Sequence, residues 1–96
     1  MRDYELIVIF RPQLNQEELA AAIEQVKNLI ESTGGAVHKT EPWGLRRLAY
    51  PIRKEREGQY VFLATAIAPR GLAEIERGLK LDERVIRHLL VRVGED

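Results

Sequence analysis

The pattern of apolar and polar positions divides the chain into segments of two different periods. From Tyr4 to Phe10 the period is two: Tyr4, Leu6, Val8 and Phe10 share one face, and Glu5, Ile7 and Ile9 share the other. This predicts a strand whose second face is only partly polar. Arg11-Pro12-Gln13 ends it, and Asn15 with Glu18 forms a capping box, with Leu14 and Leu19 spaced as a hydrophobic staple. The period then becomes helical, with Leu19, Ile23, Val26 and Ile30 in a stripe beside Ala22 and Leu29, until Gly34-Gly35 stops the helix.

From Ala36 to Ile52 the chain reads as extended, with a bend or bulge at Pro42-Trp43-Gly44 separating two strand segments. Residues 53–58, Arg-Lys-Glu-Arg-Glu-Gly, read as a charged hairpin turn. Tyr60 to Ile67 is the next strand, with Val61, Leu63, Thr65 and Ile67 on one face and Tyr60, Phe62, Ala64 and Ala66 on the other. Both faces are fairly apolar, which predicts a central strand. Pro69 opens a second helix carried by Leu72, Ile75 and Leu79, weakened by Gly71 and Gly78. Asp82-Glu83-Arg84 turns the chain into a last strand, Val85 to Val93, in which Leu89-Leu90-Val91 blurs the alternation.

The order strand, helix, strand, strand, helix, strand predicts an α+β, ferredoxin-like βαββαβ fold: a four-stranded antiparallel sheet with two helices on one face and the other face free. Residues 1–96 then form a single domain, the first and third strands lie in the centre, and the second and fourth lie at the edges. Pro51 cannot donate a ladder bond, which independently assigns the second strand to an edge. That strand carries Arg46 and Arg47, which must emerge on opposite faces, so at least one guanidinium points away from the core.

Charge changes the picture only through its distribution. Fifteen basic and fifteen acidic residues give a net charge of zero, which argues against indiscriminate coating of nucleic acid. Residues 1–45 carry a balance of minus three and residues 46–96 a balance of plus three. There is no cysteine, hence no disulfide, thiolate nucleophile or cysteine zinc site, as suits a reducing compartment. No apolar run is long enough to span a bilayer, and Asp3 and Glu5 stand where a signal peptide would begin its apolar region, so a cytoplasmic location is expected.

No enzyme constellation emerges. His38 and His88 lack partners at metal-ligand spacing and read as surface or strand residues, and no glycine-rich loop opens a helix to cradle phosphate. No acid or asparagine is placed to position a water for phosphatase chemistry. No catalysis, metal, cofactor or small-molecule substrate is expected. A ferredoxin-like sheet can bind RNA by stacking bases on aromatic side chains. Here Tyr60 and Phe62 face Ile7 and Ile9 where an aromatic partner would be needed, so these four residues are expected to pack together or to receive a protein partner. Arg53, Lys54 and Arg56 sit among Glu55 and Glu57 in the turn, where a solvated loop and a binding loop are equally good readings. Arg46, Arg87 and Arg92 lie on apolar strands, where holding a guanidinium at an edge invites a partner.

The opening Met1-Arg2-Asp3-Tyr4-Glu5, the run Gly44-Leu45-Arg46-Arg47-Leu48-Ala49-Tyr50-Pro51-Ile52-Arg53, and the length and element order together resemble bacterial ribosomal protein six of the small subunit. The resemblance spans essentially the whole chain. It implies a ferredoxin-like ribosomal protein, a structural, rRNA-binding component of a ribonucleoprotein in translation. It implies binding to the central domain of small-subunit ribosomal RNA as a heterodimer with small-subunit protein eighteen, and neither catalysis nor cofactor. It places rRNA contact on Arg2, Arg46, Arg47, Arg87 and Arg92, with Arg53, Lys54 and Arg84 as further candidates, and the protein-partner surface falls on Ile7, Ile9, Tyr60 and Phe62. Asp3 beside Arg2 and His88 within the last strand depart from the family's pattern. The sequence closes on Glu95-Asp96, without a long tail whose role could be transferred. The alternative is a stand-alone ferredoxin-like interaction or regulatory module that forms homodimers through its open face or edges.

Overall fold

The computed structural model describes residues 1–94; Glu95 and Asp96 lie outside the described residues. Its elements are β1 (Arg2–Phe10), α1 (Gln16–Ser32), β2 (Ala36–Ile52), β3 (Glu55–Ile67), a short 3-10 turn (Pro69–Gly71), α2 (Leu72–Leu81) and β4 (Val85–Arg92). The strands form one antiparallel sheet in the order β2-β3-β1-β4, with β1 and β3 central and β2 and β4 at the edges. This is the expected ferredoxin-like arrangement.

Helix α1 begins where the sequence says it should. Asn15 Oδ1 accepts from the Glu18 amide at 2.8 Å, and Glu18 Oε1 accepts from the Asn15 amide at 2.9 Å. It ends in a Schellman closure: the Gly34 amide donates to the Glu31 carbonyl and the Gly35 amide to the Ile30 carbonyl, with Gly34 at φ +89°. The left-handed conformation is why glycine stands at position 34. Ala22, Val26 and Ile30 of α1, with Ile75 and Leu79 of α2, cover Tyr4, Leu6, Val8, Phe10, Val61, Leu63 and Ile67 of the central strands. Thr65, also buried in that layer, donates its hydroxyl to the Tyr4 carbonyl at 2.9 Å, so no polar cost remains there.

Several expectations change in detail. The turn contracts from residues 53–58 to Arg53 and Lys54 alone, both at positive φ, because Ile52 already pairs with Glu55. Two such residues between paired strands form the primed hairpin turn whose twist matches the strands. Strand β2 is continuous through Pro42-Trp43-Gly44. The bend is a bulge in which Trp43 is the extra residue, since Pro42 pairs with Val61 and Gly44 with Tyr60. In β4 a second bulge sits opposite Ile9 and Phe10, which pair with Arg87 and Val85. Ile86 is the extra residue there, which explains why Val85 and Ile86 are both buried in succession.

The open face is not wholly free, contrary to expectation. After Arg47 pairs with Glu57, the next pair is Ile52 with Glu55, so Leu48 to Pro51 face Arg56 alone. The displaced segment turns Leu48 inward, where it is buried with Ile9 and Ile86 and flanked by Ile7, Ile52 and Tyr60 in a second, smaller core. Burying one leucine contributes about 1.5–3 kcal/mol. That outweighs a lost ladder bond of about 0.5–1.5 kcal/mol whose backbone groups stay in water. Ile9 is therefore 3% exposed and belongs to the interior, not to a surface that a partner can touch.

Gly58 makes this closure possible, because it lies buried under the fold-back and a β-carbon there would overlap Ile9 Cγ2. Gly58→Ala is expected to destabilise the protein by about 1–3 kcal/mol through overpacking, read as a lower urea midpoint with an unchanged slope. An unaffected midpoint would show that the second core does not press on the sheet.

Candidate nucleic-acid interface

The strand registers assign each predicted cation to a place. Arg46 pairs with Gly58 and Arg87 with Ile9, so both stand on the open face near the end of β1. Arg47, one residue on, projects from the opposite side of the hairpin. Arg2 pairs with Ile67 and Arg92 with Tyr4, which puts both on the helix side near the start of β1. At about 3.4 Å per residue, Arg2 and Arg87 are roughly 24 Å apart along the sheet. The five arginines thus form separate groups, and only Arg46 and Arg87 share the open face.

Those two are held by aromatic side chains. The Arg46 guanidinium carbon lies 5.1 Å from the Trp43 ring centroid and 6.0 Å from that of Tyr60. Trp43 in turn stacks on Phe62, with centroids 5.5 Å apart and planes 5° from parallel. Arg87 Nη1 donates to the Tyr50 hydroxyl at 2.9 Å. Both guanidiniums stay exposed while their stems and planes are restrained, which lowers the entropy lost when they meet a ligand. Beside them a cleft of about 140 Å³ is lined by Leu48, Tyr50, Tyr60, Arg87 and Leu89, among others.

Of the predicted partner-facing residues, Ile7, Tyr60 and Phe62 are half-buried, and Trp43 covers one side of Phe62. The apolar part of the open face that does reach solvent lies on β4 and just beyond it, at Leu89, Val91 and Val93, which are 42%, 57% and 42% exposed. Leu89 pairs with Ile7, Val91 with Glu5, and the Val93 amide donates to the Asp3 carbonyl, so the three continue one face. Neither Trp43 nor this stripe stood out in the sequence. Trp43 was absorbed into a bend, and the stripe was hidden by the neighbouring Leu90, which faces the helices.

Arg84 is engaged within the fold: its Nε and Nη2 reach the two Asp82 carboxylate oxygens at 2.9 and 2.8 Å. The hydrogen bond from this guanidinium holds the Asp82 carboxyl below the usual carboxylate range. Arg53 and Lys54 occupy the hairpin tip, fully exposed. A larger cleft of about 480 Å³ runs between α1 and α2, beneath Leu29 and Gly78 and away from the open-face arginines. Among the described residues no group of three or more His, Asp and Glu is placed to hold a metal ion, and no helix is long and apolar enough to cross a membrane.

A ferredoxin-like sheet with its helices on one side and restrained arginines on the other defines the class. Within that class, residues 3–92 match the family described as Ribosomal protein S6. The small ribosomal subunit protein bS6 of Desulforamulus reducens is 39% identical over 95 residues, covering 99% of this chain and 100% of the relative. That of Moorella thermoacetica is 41% identical over 96 residues, covering 100% of this chain and 98% of the relative. The crystal structure of 30S ribosomal protein S6 from Thermotoga maritima superposes with a TM-score of 0.90 at 32% identity, over 96% of this chain and 87% of that one. The chain belongs to the ribosomal protein S6 family.

His88 pairs with Val8 and so faces the helix layer, half-buried, with Glu76 and Lys80 of α2 around it. Burial pushes its pKa below the ordinary histidine value; Glu76 opposes this shift and Lys80 adds to it. Protonation therefore favours the unfolded chain. The folded state is expected to lose stability relative to a His88→Gln variant as pH falls through and below the ordinary histidine range, with no such difference above it. Urea midpoints of both proteins at pH 7.5 and pH 5.5 check this, and a constant gap would contradict it.

Proposed function

We propose that this chain is a structural protein of the small ribosomal subunit that binds the central domain of small-subunit ribosomal RNA together with small-subunit protein eighteen. Membership of the S6 family supports the ribosomal role, as do relatives that are small ribosomal subunit proteins along their full length. This role places it in the ribosome, in the cytoplasm, without catalysis or cofactor. The observation that carries the reading is that one face joins two restrained arginines, Arg46 and Arg87, to an exposed apolar stripe, Leu89, Val91 and Val93. The stripe suits a protein partner and the guanidiniums suit phosphate.

The charge balance fits this division of labour. A protein of zero net charge makes few phosphate contacts of its own. When a partner docks beside them, both sets of contacts enter one binding event. The sheet has little room for base stacking, since Trp43 covers Phe62 and Arg46 lies over Tyr60 and Trp43. Backbone contacts that fix position suit these arginines better than base readout.

Titration of a labelled central-domain RNA fragment with this protein, with small-subunit protein eighteen and with both should give tight, salt-sensitive binding only for the pair. Arg46→Ala and Arg87→Ala should each weaken that joint complex on the order of tenfold, with a shallower dependence on salt. Equal binding by the isolated chain would remove the partner from the account. A salt-resistant homodimer indifferent to RNA would replace the account with the stand-alone module.

A further inference from the structure

Strand β2 carries four residues, Leu48 to Pro51, opposite the single residue Arg56, and the backbone excursion that buries Leu48 leaves a hollow behind it. This pocket, about 250 Å³, is lined by Arg47, Leu48, Ala49, Tyr50, Pro51 and Arg56. Two guanidiniums on one concavity repel each other, and neither has an ion-pair partner among the described residues. Beyond the pocket, Arg53 and Lys54 form the tip, and their positive φ angles fix its shape.

The acids beside these cations in the sequence do not neutralise them all. Glu55 accepts from Arg11 Nη1 at 3.2 Å and from Gln13 Nε2 at 3.3 Å, which ties it to the loop after β1, and its side chain is only 17% exposed. Glu57, paired with Arg47, is the one acid of the 53–58 segment left uncommitted. Arg47, Arg53, Lys54 and Arg56 thus outnumber it along an exposed edge.

We propose that the β2–β3 hairpin end is a second RNA-backbone site, in which Arg47 and Arg56 grip one phosphate group across the pocket and Arg53 and Lys54 meet its neighbours. The proposal rests on the RNA-binding function above and adds Arg56, which lies outside the arginines assigned by resemblance. Two guanidinium forks converging on a shallow, polar-walled hollow match the oxygens of a phosphate. A row of cations on an extended tip matches a polymer of regularly spaced anions better than a single acidic side chain.

The test uses the full chain with small-subunit protein eighteen and the labelled central-domain fragment, titrated across a range of salt. Arg47→Gln/Arg56→Gln should weaken binding on the order of tenfold and lower the salt slope by about one to two, at roughly 0.7–0.9 per phosphate lost. Arg53→Gln/Lys54→Gln should lower it by a smaller amount. These side chains are exposed, so thermal midpoints should stay at the wild-type value. If the wild type binds and Arg46→Ala weakens it, while the pocket double variant changes neither affinity nor slope, the hairpin site is overturned and the RNA-binding reading stands. If the wild-type pair binds no RNA, both fall. Competition by inorganic phosphate at constant ionic strength should be weaker for the pocket variant than for the wild type. Identical competition, or retention of poly-glutamate as tightly as RNA, overturns the assignment.

Discussion

The inward turn of Leu48 onto Ile9 and Ile86 is the contact on which the binding surfaces depend. It converts an edge strand into a strand that folds over its own sheet. The same excursion closes the open face near the end of β1, brings Tyr50 to Arg87, and leaves the Arg47–Arg56 hollow on its outer side. One apolar side chain of the arginine-rich run thus sets the positions of several charged ones. The gain from burying it exceeds the loss of a few solvent-exposed ladder bonds.

The two faces of the sheet solve different problems. The helix side is an ordinary core, dry and polar-satisfied, in which Thr65 returns its hydroxyl to the Tyr4 backbone. The open side is divided into a small core under the fold-back, an aromatic stack that holds Arg46, and an exposed stripe on β4. Ion pairs within the fold hold other charges in place. Asp82 holds Arg84, and Arg11 holds Glu55, so the cations left outward are fewer than the sequence count and more localised. Localisation, not net charge, is what lets a neutral protein present phosphate-binding groups.

Much of the fold was legible because local signals and long-range pattern agreed. The Asn15–Glu18 box, the α1 stripe, the Gly34 stop and the alternation in β1 and β3 each specify geometry within a few residues. The irregularities of β2 and β4 were less legible. A bulge is a relation between two strands, and neither Leu48 nor Ile86 carries a local mark of the register that buries it. The candidate site suffered for the same reason. Residue type pointed to arginines on strands, but whether Arg46 and Arg47 or Arg87 and Arg92 share a face depends on parity counted through bulges. Trp43 was visible as a bend beside Gly44 and not as the ring on which Arg46 rests. The S6-family resemblance carried the identity, and the structure supplied the partition.

The central claim is that the sheet's open side and the hairpin end carry the contacts, while the helix layer does not. Amide hydrogen exchange of the free chain against the chain bound to both small-subunit protein eighteen and central-domain RNA addresses it most directly. The account predicts new protection at residues 43–60 and 86–93, with α1 and the cleft between the helices unchanged. Protection concentrated on α1 and α2, with the hairpin exchanging as in the free chain, would contradict it.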